Sequence, residues 1–191
     1  MHTLTKEVRE TFANVTEIRM GKSLNDCKFL AACIDETLRI SPVVGGCLMR
    51  EVGPGGITID GNLIPAGVDV GVPFHAIMRN SKYFDAPMEF RPQRWLPEET
   101  SPEKLKVSRA AFSPFALGPT GCPGKSWALV ELKVALAQLL FEYDLKKGMA
   151  EEGSHLSATQ GLEYRERHSL DRFVIKNKGP WVKFRSARVS R

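Results

Sequence analysis

No apolar run in this chain is long and unbroken enough to cross a bilayer. The most apolar stretch, Trp127 to Phe141, is interrupted by Glu131, Lys133 and Gln138, whereas a spanning helix needs about 20 predominantly apolar residues. A secretory leader is missing too, because Met1 to Glu10 carries Lys6, Glu7, Arg9 and Glu10 where a leader would place its apolar core. The chain is therefore expected to be neither secreted nor self-anchored. Paired metal ligands are also lacking. The four cysteines, Cys27, Cys33, Cys47 and Cys122, form no Cys-x-x-Cys pair, and His2, His75, His155 and His168 do not fall at metal-pair spacing, which argues against a tetrahedral zinc site. Without an export signal, the thiols are expected free rather than joined in a disulfide framework. Internal repeats and low-complexity tracts are absent.

What remains is an ordinary globular composition: 191 residues, 42% hydrophobic and 26% charged, enough for one or at most two domains. The formal charge of +5 is concentrated in the tail. Residues 165–191 hold nine Lys or Arg against Glu166 and Asp171, interleaved with Phe173, Trp181 and Phe184. Such a tail suits nucleic acid or an anionic membrane surface, or else a terminal strand pair with a solvated charged face. The strand pair is preferred, with no nucleic-acid partner, since no recognised nucleic-acid motif accompanies the charge.

Along the chain, Leu4, Val8 and Phe12 recur at helical spacing and predict a first helix of about three turns. From Asn25 or Asp26 a second helix is expected, with polar capping residues ahead of Phe29, Leu30, Cys33, Ile34, Thr37 and Leu38, and Pro42 as its stop. Cys27 and Cys33 fall on that helix and Cys47 among apolar residues, where buried structural thiols are the default. Asp60-Gly61 between Ile57-Thr58-Ile59 and Asn62-Leu63-Ile64 signals a tight hairpin, and Val68 to Val72 alternates as a further strand. Ser81 to Ser113, rich in Pro and aromatic residues, reads as a long ordered loop with short helical turns. Lys125 to Tyr143 is the strongest helix, apolar nearly all round and so expected to be buried. Leu170 to Val189 reads as strands with turns at Asn177 and Gly179-Pro180.

Cys122 stands apart because of its neighbours. Phe112 to Gly124 packs three glycines and three prolines ahead of the apolar helix. Glycines let the main chain lie against a flat ligand, and Pro123 presets the helix entry. A cysteine just before a helix N-terminus has its thiolate stabilised by the dipole and free N–H groups. On the residues alone two readings stand: a structural turn, and a reactive or ligating cysteine that has no base near it in sequence.

Here the residues carry a resemblance. Phe115-x-x-Gly118-x-Thr120-x-Cys122-x-Gly124 resembles the haem-binding loop of the cytochrome P450 family, the haem-thiolate monooxygenases, in which an arginine usually stands at the position of Thr120. Glu36-Thr37-Leu38-Arg39 matches the family's Glu-x-x-Arg helix motif, and Phe90-Arg91-Pro92-Gln93-Arg94-Trp95 resembles its meander motif. A lone Glu-x-x-Arg is common on any helix face. Three motifs in order, with a hairpin between the first two, are specific. The resemblance runs from about Lys28 to the C-terminus, in the style of fungal and other eukaryotic microsomal members, with residues 1–24 weakly matched.

The resemblance implies an α+β, mainly α fold: the C-terminal proximal part of the cytochrome P450 fold, with the Glu-x-x-Arg helix, small β-sheets, the meander, the cysteine loop and a buried helix, as a single partial domain over residues 1–191. It implies haem b (iron protoporphyrin IX) with Cys122 as axial iron ligand and Phe115, Gly118 and Gly124 shaping its loop. Arg50 matches the position from which the family contacts a haem propionate, and Glu36, Arg39 and Arg94 would form a buried charged triad. Without the resemblance, Glu36 and Arg39 read as a surface pair, Arg50 as a solvent-facing strand charge and Phe115 as plain core. His75 and Arg79 recur in family strand and loop positions and receive no chemical role. The implied activity is monooxygenation of a small lipophilic substrate with O2, in secondary metabolism, with NADPH-cytochrome P450 reductase as electron donor. Family members sit on the endoplasmic reticulum membrane. Thr120 removes one charge-assisted propionate contact, and Gln93 replaces the meander glutamate. The family's N-terminal half, with the anchor, the oxygen-activating helix and most substrate loops, has no counterpart in these residues. A truncated, non-catalytic haem-binding or interaction fragment is therefore the alternative. A basic nucleic-acid-binding module is a third reading, resting only on the tail charge.

Overall fold

The computed structural model describes residues 2–148, 170–172, 174–176 and 182–187. Six helices and four two-stranded antiparallel sheets follow one another among the described residues, an α+β arrangement. Helix α1 (His2–Thr11) places Val8 inward, fully buried. The expected second helix is divided at Cys27 into α2 (Lys22–Asp26) and α3 (Lys28–Ile40). The polar residues ahead of it do not cap it. Instead the Glu7 carboxylate of α1 accepts hydrogen bonds from the Phe29 and Leu30 backbone N–H groups, both at 2.8 Å. A distant acidic side chain thus satisfies orphan donors that the local sequence leaves open.

Helix α3 is the hub of the packing. Leu30, Ile34 and Leu38, spaced four apart, join Val8, Phe12, Leu24 and residues Ala137, Leu140 and Phe141 of helix α6 (Lys125–Glu142) in one buried cluster. Ala32, on another side of α3, belongs to a second cluster with Phe74, Met78, Phe84, Trp95, Leu96 and Ala111. Glu36 and Arg39 enter that side as buried charges.

After α3 the chain forms short strands: β1 (Arg50–Glu51) pairs with β4 (Asp69–Val70), and β2 (Ile57–Ile59) pairs with β3 (Asn62–Ile64). Asp60 and Gly61 both have positive φ, 48° and 81°, as the two-residue turn requires. Gly56 is constrained otherwise, because a Cβ there would stand 2.7 Å from the Ile64 carbonyl oxygen. Helix α4 (Phe74–Ile77) follows, and a 3₁₀ turn, Pro92–Trp95, lies within the meander.

Four sequence expectations are corrected. The stretch Ser81 to Ser113 is not continuous loop, since it contains helix α5 (Pro102–Ala111). Ser101 caps α5 by accepting from the Lys104 N–H, and Pro102 opens it at a position where its missing N–H costs nothing. Helix α6 (Lys125–Glu142) is not buried all round: Trp127 is 77% exposed, and Leu132, Leu136 and Leu139 also face outward. Hydropathy reports what a face would accept; only the side bearing Ala137, Leu140 and Phe141 meets the core. Cys47 is exposed rather than buried, and α3 begins at Lys28, just after Cys27, rather than from Asn25 or Asp26.

Strand β5 (Tyr143–Lys147) leaves α6 and pairs with β8 (Val182–Ser186), while β6 (Leu170–Arg172) pairs with β7 (Val174–Lys176). The basic tail thus supplies strands, and β8 is exposed along its length. The turns expected at Asn177 and Gly179-Pro180 lie outside the described residues. Among the described residues no helix is long and apolar enough to cross a membrane.

Candidate functional site

Helix α3 and the meander meet at Glu36. Its two carboxylate oxygens take the Arg39 guanidinium as a fork, with Nε to Oε2 and Nη2 to Oε1 both at 2.9 Å. Arg94 Nε shares both oxygens at 3.1 Å. The Trp95 indole N–H donates at 3.0 Å and the Arg91 backbone N–H at 2.8 Å. Glu36 and Arg39 are fully buried, and Arg94 nearly so.

The guanidiniums have work left over after the carboxylate. Arg39 also donates to the carbonyls of Met78 and Pro87, each at 2.7 Å, and of Glu89. Arg94 Nη1 donates to the Asp85 carbonyl at 2.9 Å. One carboxylate and two guanidiniums therefore pin α3 to the meander by its backbone carbonyls, where loop chain would otherwise bury unsatisfied acceptors. Burial holds the Arg94 guanidinium below its ordinary range, and the adjacent Glu36 charge opposes that shift. Trp95 and Arg91 as partners of Glu36 were not legible in sequence. Asp35 with Arg109, joined at 2.6 Å, was missed as well, and Arg109 lies over the Trp95 ring.

The cysteine loop is closed by its own backbone. Cys122 N–H donates to the Phe115 carbonyl at 2.8 Å, Gly121 N–H to Gly118 at 3.0 Å, and Lys125 N–H to Cys122 at 3.3 Å at the beginning of α6. Between these bonds Gly118–Thr120 forms a 3₁₀ turn, with Gly118 at φ 70°. Ala116 takes φ 57°, a left-handed conformation that costs a non-glycine residue about 1 kcal/mol. Phe115 is half-buried and packs on the core cluster shared by α3 and α6. The Cys122 thiol, by contrast, is exposed.

These residues fit a flat group approached through sulfur. A Cβ placed on Gly118 would meet nothing within 4 Å, and one on Gly124 would stand 3.8 Å from Cys122 Sγ. Glycine at 118 thus leaves space open along the loop, and glycine at 124 keeps a side chain off the sulfur. Among the described residues no cluster of three or more His, Cys, Asp or Glu is placed to hold a metal ion, so a single thiolate is what this site offers a prosthetic group. The other positions contribute less. Thr120 brings no charge, and Arg50 is exposed on β1 with Nη1 turned to the neighbouring Met49 carbonyl at 2.7 Å. Behind the loop lies a cavity of about 420 Å³, walled by Ala31 and Ile34 of α3, Phe115 of the loop and Leu129 of α6. Two other cysteines, Cys27 and Cys33, are less exposed than Cys122. Burial pushes the Cys33 thiol up to about 11 and raises that of Cys27.

The cytochrome P450 family model matches residues 1–161, which takes in the stretch ahead of Lys28 as well. Curated fungal proteins are similar over most of the chain. The cytochrome P450 monooxygenase AKT7 of Alternaria alternata is 38% identical across 95% of this chain and 36% of its own length. A cytochrome P450 monooxygenase of Gibberella zeae is 37% identical across 94% of this chain and 41% of its own length. The cytochrome P450 monooxygenase apf8 of Gibberella fujikuroi is 43% identical across 74% of this chain and 39% of its own length. The chain thus spans 36 to 41% of the length of these three relatives. With a family match over most of its residues, a glycine-lined thiol before α6 and a buried Glu36–Arg39–Arg94 cluster, the chain belongs to the cytochrome P450 family.

Proposed function

We propose that this chain is the C-terminal, haem-ligating part of a cytochrome P450 monooxygenase, a single partial domain over residues 1–191. Its substrate would be a small lipophilic organic molecule and its electron donor NADPH-cytochrome P450 reductase. When bound, haem supplies dioxygen activation and the insertion of one oxygen atom into substrate. Cys122 holds the iron through its thiolate. The Phe115 carbonyl closes the loop on the Cys122 N–H, and Gly118 has open space where a side chain would stand. Glu36, Arg39 and Arg94 lock the helix and meander that back the loop, and Arg50 is the candidate propionate partner. The supporting observation is the loop itself: the Cys122 N–H bonded to the Phe115 carbonyl, an exposed thiol, and open space at Gly118 where a side chain would stand.

The test is to load the 191-residue chain with haem and record the ferrous carbon-monoxide spectrum. A red-shifted, thiolate-type Soret band is expected, lost in Cys122→Ser and kept when Cys27, Cys33 or Cys47 is replaced. A band that survives Cys122→Ser overturns the reading. Thr120→Arg is expected to slow haem transfer to apomyoglobin by restoring a charge-assisted contact, an effect of about 1.5–3 kcal/mol. The exposed apolar residues of α6, Trp127 at 77% with Leu132, Leu136 and Leu139, favour a second reading, in which this segment holds haem but turns over substrate only when further polypeptide covers them. On that reading the haem-loaded chain, given reductase and NADPH, yields peroxide in place of oxygenated product.

A further inference from the structure

Helix α1 carries two charges of opposite sign that each grip the end of a different helix. Glu7 accepts the Phe29 and Leu30 N–H groups at the beginning of α3, both at 2.8 Å. Arg9 occupies the end of α6: Nε donates to the carbonyls of Leu140 at 3.1 Å and Phe141 at 3.3 Å, Nη2 to Tyr143 at 3.2 Å, and Nη1 to the Asp144 carboxylate at 3.0 Å. At about 100° per residue, positions i and i+2 project to opposite sides of a helix, and Val8 between them is fully buried. Each charge also suits the dipole it meets, a carboxylate at an N-terminus and a guanidinium at a C-terminus. One turn of α1 therefore fixes where α3 departs and where α6 arrives.

These two helices meet again at the cysteine loop. Ala31 and Ile34 of α3 and Leu129 of α6 wall the cavity behind Phe115, and the Phe115 carbonyl holds the Cys122 N–H. The 18 residues of α6 carry the anchoring at Arg9 over about 27 Å to the Cys122 end. A small change of angle at the anchored end becomes a displacement at the loop.

We propose that Glu7 and Arg9 are positioning residues for Cys122, acting together as a two-headed strut that sets the spacing of α3 and α6 and thereby seats the thiolate loop. The proposal rests on the reading of Cys122 as iron ligand for its functional meaning, but its geometry is testable without haem. Hydrogen exchange of the full 191-residue chain is measured for Glu7→Gln, which keeps the side-chain shape, for Arg9→Lys, which keeps the charge, for Arg9→Met and for the Glu7→Gln/Arg9→Met pair. Exchange at the Cys122 amide is expected to rise about tenfold or more in Glu7→Gln and Arg9→Met, with Arg9→Lys restoring part of the protection. The double variant is expected to be no worse at that amide than the worse single variant, because losing either head releases the strut. In the haem-loaded chain the same variants should lose the thiolate-type Soret band and release haem faster. Exchange that rises only at Phe29, Leu30 and the end of α6, with the Cys122 amide unmoved, overturns the strut. Should Cys122→Ser keep the thiolate-type band while the exchange coupling is present, the ligand assignment falls and the strut stands as a seat for the loop alone.

Discussion

Glu36 shows how a single side chain can join two segments of backbone, α3 and the meander. Its carboxylate receives Arg39, Arg94, Trp95 and the Arg91 N–H in a site closed to water. The identity of Glu36 and Arg39 as an (i, i+3) pair is written in the sequence, but their burial is not, since the same spacing serves a solvated surface pair of little worth. Glu36→Gln leaves two guanidiniums short of their counter-charge and is expected to destabilise the chain by about 3–5 kcal/mol, read as the shift in a urea unfolding midpoint. The cysteines allow a second measurement at this scale. At pH 8, iodoacetamide should label the exposed Cys122 and Cys47 first. Cys33, pushed up to about 11, and the buried Cys27 should follow slowly. Comparable labelling of all four would contradict the burial described for α3.

At the scale of elements, helices α5 and α6 illustrate opposite failures of pattern reading. In α5 the signal was present but local: Ser101, Pro102 and Glu103 form a recognisable helix beginning, obscured by the prolines and aromatic residues around it. Ser101→Ala should cost about 0.5–1 kcal/mol in thermal or urea unfolding, the lower part of the capping range, because the bond from Lys104 N–H is long at 3.4 Å. In α6 the composition was read correctly and the environment was not. Leu140→Ala, on the side facing α1 and α3, should cost about 2–5 kcal/mol. Trp127→Gln, at an exposed position near the beginning of the helix, should change stability by less than about 0.5 kcal/mol while reducing self-association in sedimentation. Equal losses from the two variants would mean that Trp127 is packed as Leu140 is.

Across the whole molecule, Asp144 joins distant parts of the chain. It receives Arg9 of α1 at 3.0 Å and Arg185 of β8 at 2.8 Å, so one carboxylate connects the first helix, the end of α6 and the last described strand. The Arg185 and Arg9 hydrogen bonds hold its carboxyl below the usual aspartate range. The sign of the pH effect follows. A depressed carboxyl contributes stability above its unfolded value, near 3.9, and loses that contribution as pH falls through the folded value. Asp144→Asn should therefore lower the melting temperature at pH 7 and approach the parent protein below about pH 4. A difference that stays constant from pH 7 to pH 3 would show that the ion pairs at Asp144 add nothing.

Much of this was decided by local sequence. The Asp60-Gly61 turn, the beginning of α6 after Cys122 and Pro123, the periodicity of α1 and the stop after Ile40 depend on backbone dihedrals and neighbours a few residues away, and these physics act within a single element. The turn-rich shape of the loop around Cys122 was legible for the same reason, since its glycines and its cysteine stand within a few residues of one another. The tertiary structure alone decided which charges are buried, which face of α6 meets a neighbour, and that Glu7 rather than a local polar residue caps α3. Each of those outcomes depends on a partner roughly 20 to more than 130 positions away, and a hydrogen bond or apolar contact over that separation has no local signature until the chain is folded.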